Sequence, residues 1–242
     1  MSPKRYNCGF KPRRWQSSVQ PQYMALYVRI KYGFATDAEF KFDSRSKPAH
    51  LSNSEFLQAE NEVLAACGEL EVRFMAYAVH HGIASTQKAD LWPWALKTLL
   101  CQFDLFLRRE KSHGMCLVDR FENDLSLLKR IHQQGVDHEF WDGRLPHRLE
   151  NVWCYGTINV GTTHIASMVD IVLGAFRYCV NKMVRKNVPL ILYKKVRLLM
   201  LCEPGNPSRV KEWGLFLRPK DVKATSYKQD YDALLKHLES LE

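Results

Sequence analysis

At 242 residues, with 46% hydrophobic and 25% charged residues, the chain has enough apolar material for a substantial core and is not a disordered or low-complexity segment. Its formal charge of +9 is regional: residues 1–36 and 171–202 contain no acid yet hold 14 of the 35 Lys and Arg, which leaves the remainder net acidic. That segregation fits a polyanion partner or a pair of solvated basic faces, and no apolar run is long and uncharged enough to span a bilayer.

Residues 1–22 are rich in Pro, Lys and Arg and read as a loose basic arm. A short helix or strand is predicted over Tyr23–Tyr32, leading through Gly33 to a segment centred on Glu39. Ser54 can cap a helix to about Cys67, whose buried side is Phe56, Ala59, Val63 and Ala66. The alternation in residues 71–79 predicts a strand. Leu96, Leu99, Leu100, Phe103 and Leu107 repeat at three and four residues, which predicts a helix over Leu91–Glu110. Gly114 then opens a buried strand, Met115–Val118, with Asp119 at its end. A helix capped by Asn123 or Asp124 runs to Gly135, and Val152–Val160 reads as a strand. Thr162 or Thr163 caps a helix carrying Asp170, with Ile165, Val169, Val172, Phe176, Val180 and Met183 as its buried stripe. Two strand-like runs follow, Leu190–Cys202 and Trp213–Arg218, and then a helix over Tyr227–Leu241.

The alternation of strands and helices gives an α/β class with a central sheet. Seven cysteines without a CxxC pair, several of them inside apolar runs, predict reduced thiols in a cytoplasmic protein rather than a disulfide framework. No phosphate loop, dinucleotide-binding fingerprint, nucleophile elbow or HExxH is present. His80, His81 and His164 are general-base candidates whose default reading is a surface or capping role. Most of the aromatics are expected in the core.

Three carboxylates have more informative surroundings. Asp119 directly follows an apolar strand, and the carboxyl edge of a sheet is where α/β sites collect, although a turn Asp would look the same. Asp170 lies beside Ala166 and Gly174, which leaves room for an ion or phosphate, and Arg177 is too far along the helix for the favoured pairing. Glu39, followed by Lys41 and Arg45, has the look of an exposed salt-bridged segment.

In their order, Glu39-Phe40-Lys41-Phe42, Leu117-Val118-Asp119-Arg120 and Ser167-Met168-Val169-Asp170 resemble three motifs of the bacterial domain-of-unknown-function family numbered 3800, over about residues 23–185. Each motif is short, and the resemblance lies in their order and spacing. Ser167 and Val169 stand where that family usually has Gln and Ala. Its first motif, Asp-Glu-Ser-Gly, has no counterpart: nothing acidic precedes Asp37. A mis-assigned start, a truncated gene and a short variant would look alike here. The resemblance implies a ribonuclease-H-like mixed sheet flanked by helices, in a family met near mobile elements and phage-defence genes.

It further implies a nuclease hydrolysing DNA or RNA, with Glu39, Asp119 and Asp170 as catalytic residues and ligands of Mg²⁺ or Mn²⁺. One metal would activate water and a second would stabilise the leaving oxygen. Arg177 and Lys182, with Lys4, Arg5, Arg13 and Arg14, are expected to hold the nucleic-acid backbone. The expected organisation is an arm (residues 1–22), a ribonuclease-H-like core (23–185) and a small C-terminal extension of strands and a helix (186–242). Two alternatives stay open: a catalytically inactive domain that binds nucleic acid or a protein partner, and a subunit completed by another chain or a second copy. No membrane association is expected.

Overall fold

The computed structural model describes residues 21–35, 38–84, 88–119, 140–141, 146–158, 163–183 and 190–240. The basic arm and the helix expected over residues 123–135 lie outside these, apart from Pro21 and Gln22. The described chain is mixed α/β. Its helices are α1 (Pro21–Lys31), α2 (Asn53–Glu69), α3 (His81–Ala84), α4 (Lys88–Arg109), α5 (His164–Met183), α6 (Leu190–Leu199) and α7 (Thr225–Glu239). Its strands are β1 (Ala76–Val79), β2 (Gly114–Asp119), β3 (Phe140–Trp141), β4 (Pro146–His147), β5 (Val152–Ile158) and β6 (Leu215–Arg218).

Among the described residues the strands form three separate pairs rather than one central sheet: β1 with β6 and β2 with β5 are parallel, and β3 with β4 is antiparallel. The β1–β6 connection is long and passes through several helices, as parallel pairing requires.

The main core surrounds β1 and β6. It is filled from α1 by Ala25 and Val28, from α2 by Phe56, Ala59 and Val63, and from α5 by Ile171, Val172, Ala175 and Phe176. It is closed by Leu192, Tyr193, Val196 and Leu199 of α6 and by Leu234, Leu235 and Leu238 of α7. A second cluster joins α4 to the β2–β5 pair through Leu100, Cys101, Leu107, Leu149 and Val152.

Several expectations need correction. The run from Leu190 is helical: Leu192, Tyr193, Val196 and Leu199 are buried at helical spacing, and their β-prone composition is overridden by packing on α2 and α5. The residues beyond 186 do not stand apart as an extension. They supply the partner strand of β1 and two walls of the core. Helix α2 is capped by Ser52 rather than Ser54. The Ser52 hydroxyl accepts from Glu55 N and the Glu55 carboxylate accepts from Ser52 N, a reciprocal capping box.

The buried face of α5 is also rotated from its expected position. Ala166, Met168, Ile171, Val172, Ala175, Phe176 and Cys179 face inward, the alanines allowing close approach by α1, whereas Ile165, Val169 and Leu173 are exposed. Strand β2 is not buried on both faces, since Met115 and Leu117 are exposed. The described cysteines are free thiols, as expected; burial pushes those of Cys67 and Cys116 up to about 11 and that of Cys179 to about 12.

Candidate functional site

Helix α5 begins at a working cap, with Ala166 N donating to Thr163 Oγ1 at 3.1 Å. Two turns on, Asp170 meets the extended segment that carries Glu39. Phe42 N donates to Asp170 Oδ2 at 3.0 Å, tying residues 128 apart in sequence. The segment is fixed on its other side by buried Arg29, whose guanidinium donates to the carbonyls of Ala35 (2.9 Å) and Ala38 (2.6 Å). Phe40, wholly buried, packs against Phe34 and Phe56.

The room beside Asp170 is already filled. A Cβ on Gly174 would lie 2.3 Å from Phe42 Cβ and 2.8 Å from its Cγ, so the glycine is the seat of the Phe42 side chain rather than an opening for an ion. Ser167 is buried, and its hydroxyl has no hydrogen-bond partner among the described residues.

Glu39 behaves as its neighbours suggested, pairing with Lys41 (Oε2 to Nζ, 2.7 Å). Arg45 instead grips Asp43 with two nitrogens, and its hydrogen bonds, aided by the nearby charge of Arg177, pull the Asp43 carboxyl down to about 2. Glu39 and Asp170 are therefore brought to one short segment of backbone, yet each carboxylate already has a protein partner.

Asp119 ends β2 at the carboxyl edge of the parallel pair, in register with Ile158. Its side chain lies outside the description, as does that of Lys182, and Lys4, Arg5, Arg13 and Arg14 lie outside the described residues. Among the described residues no three His, Cys, Asp or Glu side chains form a metal-holding group; Glu39 is paired with Lys41, and Asp170 accepts from Phe42 N.

Part of the segregated basic charge serves the fold. Arg197 is buried and donates to the carbonyls of Leu238 and Pro207, Lys31 pairs with Glu62, and Lys195 donates to Asn61. Arg177 differs: it is exposed, and its guanidinium forms no hydrogen bond or ion pair within the described residues.

His80, at the carboxyl end of β1, is the capping histidine expected by default. Its Nδ1 accepts from Gly82 N at 3.1 Å, which leaves Nε2 to donate to Asp230 at 3.0 Å. Burial first, and Arg29 second, hold the His164 imidazole below its ordinary value.

One group was hidden from sequence reasoning. Trp153 of β5 is exposed, and its indole stacks on His113 with ring centroids 4.3 Å apart. The only signal was a Trp beside a Cys in a strand, which reads as core.

No family model matches this chain, and no curated protein or solved structure matches it either. No described helix is long and apolar enough to cross a membrane.

Proposed function

We propose that this chain is a nucleic-acid-binding α/β protein. The observation that carries the reading is the contrast beside Asp170. The carboxylates there are held by the protein itself, while Arg177 on the same helix presents its charge to solvent. An exposed cation that forms no hydrogen bond or ion pair among the described residues is suited to a phosphate oxygen, and such contacts supply affinity without reading sequence. The segregation of Lys and Arg along the chain agrees with it.

A second reading is the divalent-metal nuclease on a ribonuclease-H-like frame, and a single feature favours it: Asp119 stands at the carboxyl edge of a parallel strand pair, where α/β sites collect. In that reading Asp119 and Asp170, with Glu39 freed from Lys41, would hold Mg²⁺ or Mn²⁺, which would supply an activated water for phosphodiester hydrolysis.

One set of measurements tests both. Labelled single- and double-stranded DNA and RNA are titrated with wild type and with Arg177→Ala across a range of salt, and the same probes are incubated with Mn²⁺, Mg²⁺ or EDTA beside Asp119→Asn. Binding with a salt slope that falls by about 1 in Arg177→Ala supports the first reading. Metal-dependent cleavage lost in Asp119→Asn establishes the second. Absence of binding to every probe refutes both.

A further inference from the structure

The stacked pair on β5 has a construction of its own. Gly114 pairs with Val152 and Met115 with Cys154, so Trp153 is an extra residue in the β2–β5 ladder. Bulges are rare in parallel pairs, and their effect is to re-aim a side chain. Here the effect is to leave the largest apolar side chain of the strand 73% exposed rather than in the neighbouring α4 core.

His113, the last residue before β2, lies against the indole at an interplanar angle of 27°, which fixes the ring. The backbone beneath is rigid. Gly114 N donates to Asn151 O at 2.9 Å, and buried Asp104 accepts from both Asn151 N (2.7 Å) and Asn151 Nδ2 (3.2 Å). The platform is thus held from below by a carboxylate with no exposure at all.

Basic residues adjoin it in sequence. Arg108, on the last turn of α4, and Lys111, just beyond that helix, precede His113, and exposed Arg148 precedes β5 by four residues. Arg108 is itself paired with buried Asp104 at 3.7 Å and with exposed Glu150 at 3.6 Å, and exposed Glu110 adjoins Lys111. A fixed, solvent-facing aromatic ring beside Arg and Lys is the pairing by which proteins track unpaired strands, with bases stacking on the ring and phosphates meeting the cations. Duplex DNA or RNA keeps its base faces covered and has none to offer.

We propose that Trp153, backed by His113, is a stacking platform for an unpaired base, and that the chain prefers single-stranded nucleic acid. This deepens the nucleic-acid reading above and rests on it. The platform lies on the β2–β5 pair, whereas Arg177 lies on α5, so the two can be tested separately.

The test is fluorescence anisotropy of labelled oligothymidylate, oligouridylate and a duplex with wild type, Trp153→Ala, Trp153→Phe and Arg177→Ala. Trp153→Ala is expected to weaken single-strand binding by about 5- to 150-fold, the range seen when one base–aromatic stack is removed, with Trp153→Phe recovering most of it. Melting temperatures of the Trp153 variants should match wild type, because the side chain contributes little buried area.

Wild-type affinity in Trp153→Ala, or a wild type that prefers the duplex, overturns the platform. If Arg177→Ala still weakens binding in that case, the broader reading stands. A wild type that binds no probe overturns both.

Discussion

The seat of Phe42 on α5 makes Gly174→Ala an informative substitution because two ordinary effects oppose each other there. In a helix interior alanine is favoured over glycine by about 1 kcal/mol, so helix propensity alone predicts stabilisation. The structure predicts the reverse. The new methyl would sit 2.3 Å from Phe42 Cβ, an atom fixed to the backbone that no rotamer change can move.

Either α5 or the Glu39 segment must retreat. Overpacking of this kind costs about 2 kcal/mol, and a retreat that breaks the charged hydrogen bond from Phe42 N to Asp170 costs about 2 kcal/mol more. Set against the propensity gain, the net loss is about 3 kcal/mol, which for a chain of this size lowers the melting temperature by about 6–12 °C.

Thermal and urea unfolding of Gly174→Ala, Phe42→Gly and the double variant would measure it. The double variant should be no less stable than Phe42→Gly alone, since the obstructing Cβ is gone and only the propensity gain remains. A Gly174→Ala protein as stable as wild type would refute the packing described here and restore the open space beside Asp170.

Two further outcomes follow from buried polar groups. Glu60 faces the core from α2, and burial pushes its carboxyl up to about 8. Because this folded value lies above the carboxyl's ordinary value of 4.5, the native state holds the proton more tightly, and the stability it lends is complete at acid pH and declines as pH rises through about 8. Urea unfolding of Glu60→Gln should therefore show a gain over wild type at pH above about 8 that shrinks towards acid pH. Tyr231 Oη accepts from His80 N at 2.6 Å and donates to the Arg218 carbonyl at 2.8 Å, joining the carboxyl ends of β1 and β6. Tyr231→Phe strands both backbone groups and should cost about 1–3 kcal/mol in the same assay.

The elements most legible in the sequence were those whose local pattern and tertiary role agree. Helix α4 announced itself through Leu96, Leu100, Phe103 and Leu107, and α2 through its apolar side, because both need only one inward face. The run from Leu190 was misread because its β-prone residues suit a strand locally, and only packing on α2 and α5 decides for helix. The turn of α5 about its axis was illegible for a related reason. Apolar residues occur all round it, and contact with α1, α2 and α6 decides which of them face the interior.

The acidic site shows the same limit at a finer scale. That Glu39 would pair locally was visible from Lys41 two residues on. That Asp170 would accept a backbone N–H from Phe42 was not, since no local pattern encodes a contact across 128 residues. The roles of Arg29 and Arg197 as buried donors to carbonyls were equally hidden, so charge counted along the chain overstated the charge available at its surface.

The pairing of β1 with β6 also governs how the chain must be made. Ala76 waits for Leu215, about 140 residues later, before its ladder can close. At ribosomal speeds of about 5–20 residues per second, that interval is about 7–28 s, during which β1 has an open edge. Open edges recruit other strands, so the nascent chain passes through its most aggregation-prone stage just before α7 arrives. A chain cut short between Val79 and Leu215 would remain in that stage permanently, exposing a four-residue edge that β6 otherwise covers.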